Sequence, residues 1–302
     1  MGLNLSGMTT ETRNPRTMQL DQMSPLEIVT VMNEEDARVP LAIAKCLPQI
    51  AQAVTWAAES FEKGGRLFYM GAGTSGRLGV LDAAECPPTF GVPKEMVVGL
   101  IAGGEKAFIE AVEGAEDSRE LAVEDLKAHG LTADDFVVGI AASGRTPYVL
   151  GGLDYAKSVG CHTAAIACNI GSAIGKAAEL AIEVNCGPEV LTGSTRLKSG
   201  TAQKLILNMI STGSMVRTGK AYQNLMVDVQ QTNEKLHTRA ENIVIDATGV
   251  EREKARAAID AAGGSVKTAI TMLLADCDAK EAARRLERAC GHVREAIRLE
   301  VL

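Results

Sequence analysis

The sequence predicts an α/β fold, in which a parallel β-sheet carries helices on both faces and a small helical bundle follows. Short apolar runs typical of buried strands alternate with helical patterns through the middle of the chain. Turns rich in glycine, serine and threonine stand directly after two of these runs. Beyond Arg239 the composition changes to alanine, arginine and glutamate, which indicates a separate helical unit. A chain of 302 residues has room for one large domain and one small one.

The N-terminal part of the sequence predicts an irregular segment followed by helices. Its polar opening stretch gives way to Ser24-Pro25, the order expected of an N-cap and a first helical position. Apolar residues then recur at helical spacing over 26–32 and over 39–61. A glycine pair at 64–65 ends this pattern.

The central part of the sequence predicts a repeating strand–turn–helix pattern. Such alternation is typical of parallel sheets, whose ligands bind beyond the carboxyl ends of the strands. The expected strands are 67–70, 96–101, 136–141, 162–167 and 180–184, and the expected helices between them are 75–84, 118–129, 147–159 and 172–177.

The C-terminal part predicts helices alone. A long helix is expected from Gly200 to Gly219, because its apolar residues follow helical spacing. Three further helices are expected at 250–262, 265–274 and 279–298, separated by Gly263-Gly264 and by Asp276-Cys277-Asp278.

Composition and charge exclude several classes of protein. The net charge of −7 argues against a nucleic-acid binder, which needs a basic face. No apolar run is long enough to span a bilayer, and the N-terminus lacks the pattern of a secretion signal. The seven cysteines are odd in number and form no CxxC pair, so reduced, buried thiols in a cytosolic protein are expected. The four histidines lack ligand spacing, so no metal site is predicted.

Three turns of small and hydroxyl-bearing residues are placed to hold a phosphorylated small molecule. Free N–H groups at a helix start attract an anion, hydroxyls add donors, and Arg and Lys add charge. For each turn taken singly, a tight turn that binds nothing is an alternative, whereas three turns in one domain favour a phosphate ester as ligand. The turns are Gly71-Ala72-Gly73-Thr74-Ser75-Gly76-Arg77, Ser143-Gly144-Arg145-Thr146-Pro147 and Thr192-Gly193-Ser194-Thr195-Arg196-Leu197-Lys198.

The first turn resembles two nucleotide-binding motifs but meets the requirements of neither. Gly71, Gly73 and Gly76 match the GxGxxG pattern, but the second strand ends without the acid that would hold a ribose. A P-loop requires Lys followed by Ser or Thr, and Arg77-Leu78 stands at that place. Both nucleotide interpretations therefore fail at a required residue.

Two glutamates are candidates for proton transfer. Glu85 ends an apolar helical stretch and precedes Pro87-Pro88, and we expect the prolines to end the helix there. An acid among Ala, Cys and Pro should be poorly solvated, which suits it to proton transfer, although a solvated acid at a helix end explains the same pattern equally well. Glu116 lies in an acidic run, which is more typical of a solvated helix start.

Four stretches of the sequence resemble a known family. The run Gly-Pro-Glu-Val-Leu-Thr-Gly-Ser-Thr-Arg-Leu-Lys-Ser-Gly-Thr-Ala-Gln-Lys at 187–204 resembles the signature shared by N-acetylmuramic acid 6-phosphate etherases and glucokinase regulatory proteins. The stretches at 10–15, 79–88 and 224–229 also resemble the etherase. The resemblance extends from about Thr10 to the C-terminus. The length fits the bacterial etherase, since the regulatory protein carries two such modules in tandem.

The resemblance implies a sugar isomerase (SIS) domain for the central sheet and a homodimer with active sites near the subunit interface. It divides the chain into an N-terminal segment with helices that pack on the SIS domain (1–56), the SIS domain (57–220), a connector (221–240) and a small helical, UBA-like bundle (241–302).

The resemblance also implies a reaction, with no metal and no cofactor. The family splits the D-lactyl ether of N-acetylmuramic acid 6-phosphate, a step of cell-wall amino sugar recycling in the cytoplasm. Glu85 and Glu116 match the family's two carboxylates, with Glu85 as the proton donor. The turns supply the residues expected to bind the sugar phosphate, which are Gly73, Thr74, Ser75, Gly76, Arg77, Ser143, Gly144, Arg145, Thr146, Ser194, Thr195 and Lys198.

Two other functions remain open at this point. An aldose–ketose isomerase would use the same phosphate-binding turns and also move a C2 proton, but it would release no lactate. A non-catalytic sugar-phosphate sensor would bind without turnover, and the presence of both glutamates argues against it.

Overall fold

The computed structural model describes residues 7–110, 112–229 and 234–299. The chain forms two compact units. The first contains the chain up to Ala84 together with Glu95–Ser211, and the second contains Glu85–Lys94 together with the chain from Thr212 onward.

The first unit is built on a parallel β-sheet, as predicted. In the described part of the chain its five strands lie in the order β2-β1-β3-β4-β5, and every neighbouring pair is parallel. The central strands are buried along their whole length, which explains their continuous apolar sequences. The strands are β1 Leu67–Gly71, β2 Val97–Ile101, β3 Phe136–Ile140, β4 His162–Ala167 and β5 Leu180–Glu183.

Helices precede and separate these strands. The predicted start at Ser24 is confirmed: its hydroxyl accepts from the N–H of Glu27, whose carboxylate in turn accepts from the N–H of Ser24. The helices are α1 Pro25–Asp36, α2 Val39–Ile43, α3 Leu47–Glu62, α4 Gly73–Phe90, α5 Lys106–Ile109, α6 Arg119–Ala128, α7 Pro147–Val159, α8 Ala173–Ala177 and α9 Lys198–Arg217.

Glycines let the helices lie close to the sheet in a chain that is only 3% aromatic. A Cβ on Gly99 of β2 would stand 2.5 Å from Cα of Val80 in α4. A Cβ on Gly139 of β3 would stand 2.5 Å from a methyl carbon of Val149 in α7. These glycines let helices α4 and α7 pack closely on the sheet, beside buried rings such as Tyr69 and Tyr148.

The prediction that Pro87-Pro88 end their helix is wrong. Helix α4 runs through both prolines to Phe90, and the N–H of Gly91 closes its last turn on the carbonyl of Pro87 at 2.9 Å. The proline ring fixes φ near the helical value, so the helix continues although two backbone donors are missing.

The second unit is a helical bundle with a small hairpin. Its apolar core includes Ile243, Ile259, Ile270 and Leu286. The hairpin and helix α10 were not predicted. The described elements after α9 are β6 Ala221–Tyr222, β7 Leu225–Met226, α10 Glu234–Thr248, α11 Arg252–Ala261, α12 Val266–Ala275, α13 Ala279–Arg288 and α14 Val293–Ala296.

The single helix predicted over 279–298 is two helices, α13 and α14. Cys290 adopts a left-handed conformation at φ 49°. Its N–H donates to the carbonyl of Glu287 at 3.1 Å, and the N–H of Gly291 donates to that of Leu286 at 2.7 Å. This is the Schellman pattern that ends helices, here with cysteine at the position that glycine usually occupies.

Candidate functional site

The two predicted turns that follow strands leave the sheet side by side. Strand β1 lies between β2 and β3, so the order of the strands reverses there, and Gly71 at the end of β1 is paired in register with Ile140 at the end of β3. Ligands of open parallel sheets bind in the crevice formed at such a reversal. The fold therefore brings the turns at 71–77 and 143–147 to the place where a ligand is expected.

The first turn leads directly into helix α4. Gly76 donates to the carbonyl of Ala72 at 3.3 Å, so Gly73, Thr74 and Ser75 precede the first intrahelical bond and have N–H groups available to a ligand. A Cβ on Gly76 would lie 2.6 Å from the carbonyl oxygen of Gly71, so glycine is required for this tight turn.

The Ser75 hydroxyl is already engaged by the protein. It donates to Oε1 of Gln203 at 3.0 Å, and the serine is buried. Ser75 thereby connects the first turn to helix α9. Gln203 belongs to the 187–204 signature, yet the sequence offered no sign of this contact.

Asn169 hydrogen-bonds the backbone of the second turn and of the residue before it. Its side-chain amide donates to the carbonyls of Ala142 at 3.2 Å and Ser143 at 3.3 Å. Gly144 adopts φ 73°, and a Cβ there would lie 2.4 Å from Cβ of Ser172. These contacts fix the path of the turn. Thr146 is the N-cap of helix α7, but its hydroxyl makes no capping bond, so it is available to a ligand.

Arg145 is the cation of the second turn. The residue is half-buried, and its guanidinium lies 3.9 Å from the sulfur of Met8. A thioether is a weak acceptor, so the Arg145 charge is not neutralised by this contact.

The third turn differs from the expectation, because the start of helix α9 is occupied by the protein itself. The fully buried carboxylate of Glu189 accepts from the backbone N–H groups of Lys198 and Ser199, each at 3.0 Å. The prediction that this helix start attracts a phosphate is therefore wrong for these two donors. Ser194 and Thr195, both half-buried, stay candidates for substrate binding.

Lys198 is buried and ion-paired. Its ammonium donates to Oε2 of Glu35 at 2.6 Å, and Glu35 also accepts from Arg16 at 2.9 Å and Asn14 at 3.1 Å. Burial raises the pKa of Glu35, but the hydrogen bonds from Lys198 and Arg16 outweigh it and hold that pKa below its usual value. A contact between Lys198 and substrate stays a prediction.

The sequence reasoning missed Glu35 and Glu189. Glu189 lies within the 187–204 signature, and Asn14 lies in the resembling stretch at 10–15, so both stretches were noticed without a role for these residues. In the structure their role is to hold the start of helix α9: Glu189 bonds its backbone, and Asn14 bonds Glu35, the partner of Lys198.

Arg77 makes two bonds to backbone carbonyls. Its Nε donates to the carbonyl of Phe108 at 2.7 Å, and one terminal nitrogen donates to that of Ala107 at 2.9 Å. The residue is half-buried. The guanidinium expected to bind phosphate is thus directed at the C-terminal end of helix α5.

Both candidate glutamates are exposed in the single chain. The expectation of poor solvation for Glu85 is wrong here: Ala83 and Cys86 lie on the buried face of helix α4, whereas Glu85 lies on the exposed face with Leu81. Residues adjacent in a helix point in different directions, so apolar neighbours in sequence did not bury the acid. Glu116 lies in a 3₁₀ turn, Ala115–Asp117.

The cysteines are free thiols, as predicted, and most are buried. Burial raises the pKa of Cys186 to about 11 and that of Cys161 to about 12, so neither thiol suits nucleophilic chemistry at neutral pH. Within the described ranges no cluster of His, Cys, Asp and Glu could hold a metal ion. The same part of the chain contains no helix that is both long and apolar enough to cross a membrane.

Comparison with known proteins decides the family. The family model of the glucokinase regulatory protein N-terminal SIS domain matches residues 49–157, and that of the SIS domain matches residues 120–212. An N-acetylmuramic acid 6-phosphate etherase from Exiguobacterium sp. is 63% identical over 97% of this chain and 100% of its own length. One from Mycolicibacterium smegmatis is 57% identical over 98% of this chain and 99% of its own. The chain belongs to the N-acetylmuramic acid 6-phosphate etherase family.

A solved structure of low sequence identity has the same fold as this etherase-family chain. A Bacteroides fragilis protein assigned as a phosphosugar isomerase involved in capsule formation superposes with a TM-score of 0.52 at 21% identity, over 67% of this chain and 95% of that one. The fold class predicted for the etherase family, a parallel SIS sheet with flanking helices, is thereby confirmed.

Proposed function

We propose that this chain is a carbon–oxygen lyase that cleaves the D-lactyl ether of N-acetylmuramic acid 6-phosphate to N-acetylglucosamine 6-phosphate and D-lactate. The observation that carries the proposal is the identity of 57–63% over nearly the whole chain with proteins that bear the etherase name. The reaction belongs to the recycling of cell-wall amino sugars.

The chemistry is an elimination followed by a hydration. In the open-chain sugar the C2 proton is acidified by the neighbouring aldehyde, and a general base removes it. The electron pair forms the C2–C3 double bond as the C3–oxygen bond breaks, and a general acid protonates the departing lactate oxygen. Water then adds across the double bond, with oxygen at C3 and a proton at C2. Glu85 is the proposed proton donor and Glu116 the second carboxylate.

The turns at the strand reversal hold the phosphate. The N–H groups of Gly73, Thr74 and Ser75 and the Thr146 hydroxyl support this role, because each is available to an anion. Arg145 supplies positive charge, and Ser143, Gly144, Gly76, Ser194, Thr195 and Lys198 belong to the same proposed binding set. The phosphate lies away from the reacting carbons, so binding of the phosphate by the turns orients the substrate as well as adding affinity.

The active form is a homodimer in the cytoplasm. The exposure of both proposed catalytic glutamates in the single chain supports a site that a second subunit completes. The free cysteines suit a reducing compartment. Size-exclusion chromatography with light scattering tests the dimer, which a monomer at working concentration would contradict.

Release of D-lactate is the decisive test. Purified protein is incubated with N-acetylmuramic acid 6-phosphate, and the products are assayed for D-lactate and for a ketose phosphate. We expect D-lactate and N-acetylglucosamine 6-phosphate in equal amounts. A ketose without lactate would identify an isomerase, and saturable binding without any turnover would identify a sensor.

A further inference from the structure

We propose that Arg77 is a positioning residue that holds the Glu116 segment against the first turn, and that it does not bind the phosphate. The Glu116 segment is defined here as residues 103–110 and 112–117. This inference rests on the proposed function, because it assigns Arg77 a part in placing one of the two proposed catalytic carboxylates.

The contacts of Arg77 match the requirements of a backbone clamp. Nε and one terminal nitrogen of the guanidinium reach two successive carbonyls, those of Phe108 at 2.7 Å and Ala107 at 2.9 Å. The last carbonyls of a helix have no partners within it, and helix α5, Lys106–Ile109, ends here. A planar guanidinium presents two parallel donors to such a pair, which a lysine ammonium does not.

Helix α5 buries only one of its four residues, Ala107. Phe108 is 42% exposed and Ile109 is 85% exposed, so helix α5 buries few apolar groups. Segments with few buried contacts open locally at low cost in free energy. We therefore infer that the two bonds from Arg77, together with burial of Ala107, fix helix α5.

The rest of the segment transmits this placement to Glu116. Gly103 adopts φ 91°, and a Cβ there would lie 2.8 Å from Cβ of Val112 and 3.2 Å from Cβ of Ala107, so the segment folds back on itself. Ala115 is buried in the core cluster that also contains Tyr148 of α7. Glu116 follows Ala115 directly, so the buried alanine fixes the backbone at Glu116 while the glutamate side chain is exposed.

Substitution of Arg77 combined with a binding measurement tests the inference. We expect Arg77→Ala and Arg77→Lys to lower kcat by about 10- to 100-fold, because small displacements of a catalytic group are costly. The Kd of N-acetylglucosamine 6-phosphate, measured by calorimetry, should change less than about threefold, since the phosphate contacts remain. Rescue of kcat by Arg77→Lys, or a tenfold weaker Kd in both variants, would overturn the assignment.

A double-mutant cycle separates action through Glu116 from an independent effect. If Arg77 acts through Glu116, Arg77→Ala should lower kcat less than about threefold in a Glu116→Gln background. If the fold-decrease in kcat of the double variant equalled the product of the two single-variant decreases, the proposal would be contradicted. Arg119→Ala is the matched control, because Arg119 pairs with exposed Asp154 at the surface, and we expect its kcat and Kd to be those of the parent.

Hydrogen exchange tests the inference independently of the reaction. Arg77→Ala should speed amide exchange in residues 104–110 and 112–117 and leave strands β3 and β4 unchanged. Unchanged exchange in the Glu116 segment would refute the clamp. Absence of lactate release by the parent protein would instead refute the proposed function, while the exchange result would still judge the clamp.

Discussion

Lys198 Nζ lies 2.6 Å from Oε2 of Glu35, and both side chains are almost completely buried, with exposed fractions of 1% and 2%. The pair joins the first turn of helix α9 to helix α1. Buried ions are tolerated only when they are paired and hydrogen-bonded, and here Arg16, Asn14 and Arg38 also contact the carboxylate. Two buried acids therefore hold the start of helix α9. Glu35 pairs with the Lys198 side chain, and Glu189 accepts from the backbone N–H groups of Lys198 and Ser199.

Removal of the Glu35 charge should destabilise the protein strongly. Glu35→Gln leaves the Lys198 ammonium buried without a counter-ion, which typically costs about 3–5 kcal/mol of unfolding free energy. Denaturation in urea, followed by circular dichroism, measures the change. Glu34→Gln is the matched control: it removes a neighbouring acid that is 51% exposed, and its cost should be below about 1 kcal/mol. Equal costs for the two variants would contradict the buried pair.

Asp135 should give stability a dependence on acid pH. It accepts from the N–H and guanidinium of Arg66 and from the N–H of Thr132, each bond lying between 2.8 and 3.1 Å. Burial raises the pKa of Asp135, but these hydrogen bonds outweigh it and lower that pKa from the ordinary value of 3.8. Because the folded pKa is the lower one, the stabilisation is fully present above about pH 4 and is lost as the pH falls through the folded pKa.

Asp135→Asn should remove that acid-dependent component. We expect its unfolding free energy at pH 7 to fall by about 1.5–3 kcal/mol. Between about pH 4 and about pH 2, its unfolding free energy should change less with pH than that of the parent. Asp134→Asn removes the same charge from an exposed neighbour and should keep the parent's slope. A parent-like slope in Asp135→Asn would show that another carboxyl dominates acid unfolding.

The strands of the sheet could be predicted because their signal is local. Each is a short apolar run bounded by turns, and the register of Gly71 with Ile140 follows once the strands are adjacent. The hairpin of β6 and β7 has strands of only two residues, too short for any periodicity to show. The path through Pro87-Pro88 was missed because proline usually ends a helix and here does not.

The side-chain network of the site could not be predicted, because its partners are far apart in sequence. Glu35 and Lys198 are separated by 163 residues, and Ser75 and Gln203 by 128. Composition identified Lys198 as a cation in a turn, but only the fold shows that an acid from helix α1 neutralises it. The turns were found from sequence, whereas the direction of each charged group in them was not.

A side chain at Gly144 should destabilise the protein more than one at Gly130. Gly144 and Gly130 both have left-handed backbones, at φ 73° and 59°. A Cβ on Gly144 would meet Cβ of Ser172 at 2.4 Å, whereas one on Gly130 meets nothing within 4 Å. Alanine at either place costs about 1–2 kcal/mol for the backbone, and the collision adds about 1–3 kcal/mol at Gly144 alone.

Thermal unfolding and lactate assays of the two alanine variants test this difference. Gly144→Ala should have the lower Tm, and its KM should rise because the displaced turn carries Ser143 and Thr146. Gly130→Ala should keep the KM of the parent. Similar Tm values for the two variants would mean that the loop relaxes around the added methyl group.

Glu85→Gln and Glu116→Gln should each lower the rate of D-lactate release by about 10²–10⁴-fold, the range typical of a general acid or base. Both side chains are exposed in the single chain, so loss of either charge should leave the Tm of the parent within about 2 °C, as surface substitutions usually do. Asp117→Asn, an exposed acid next to Glu116, is the matched control and should keep full activity. An unchanged kcat in Glu85→Gln would show that Glu85 is not the proton donor. If only Glu116→Gln were inactive, one carboxylate would have to serve both the C2 proton and the departing oxygen.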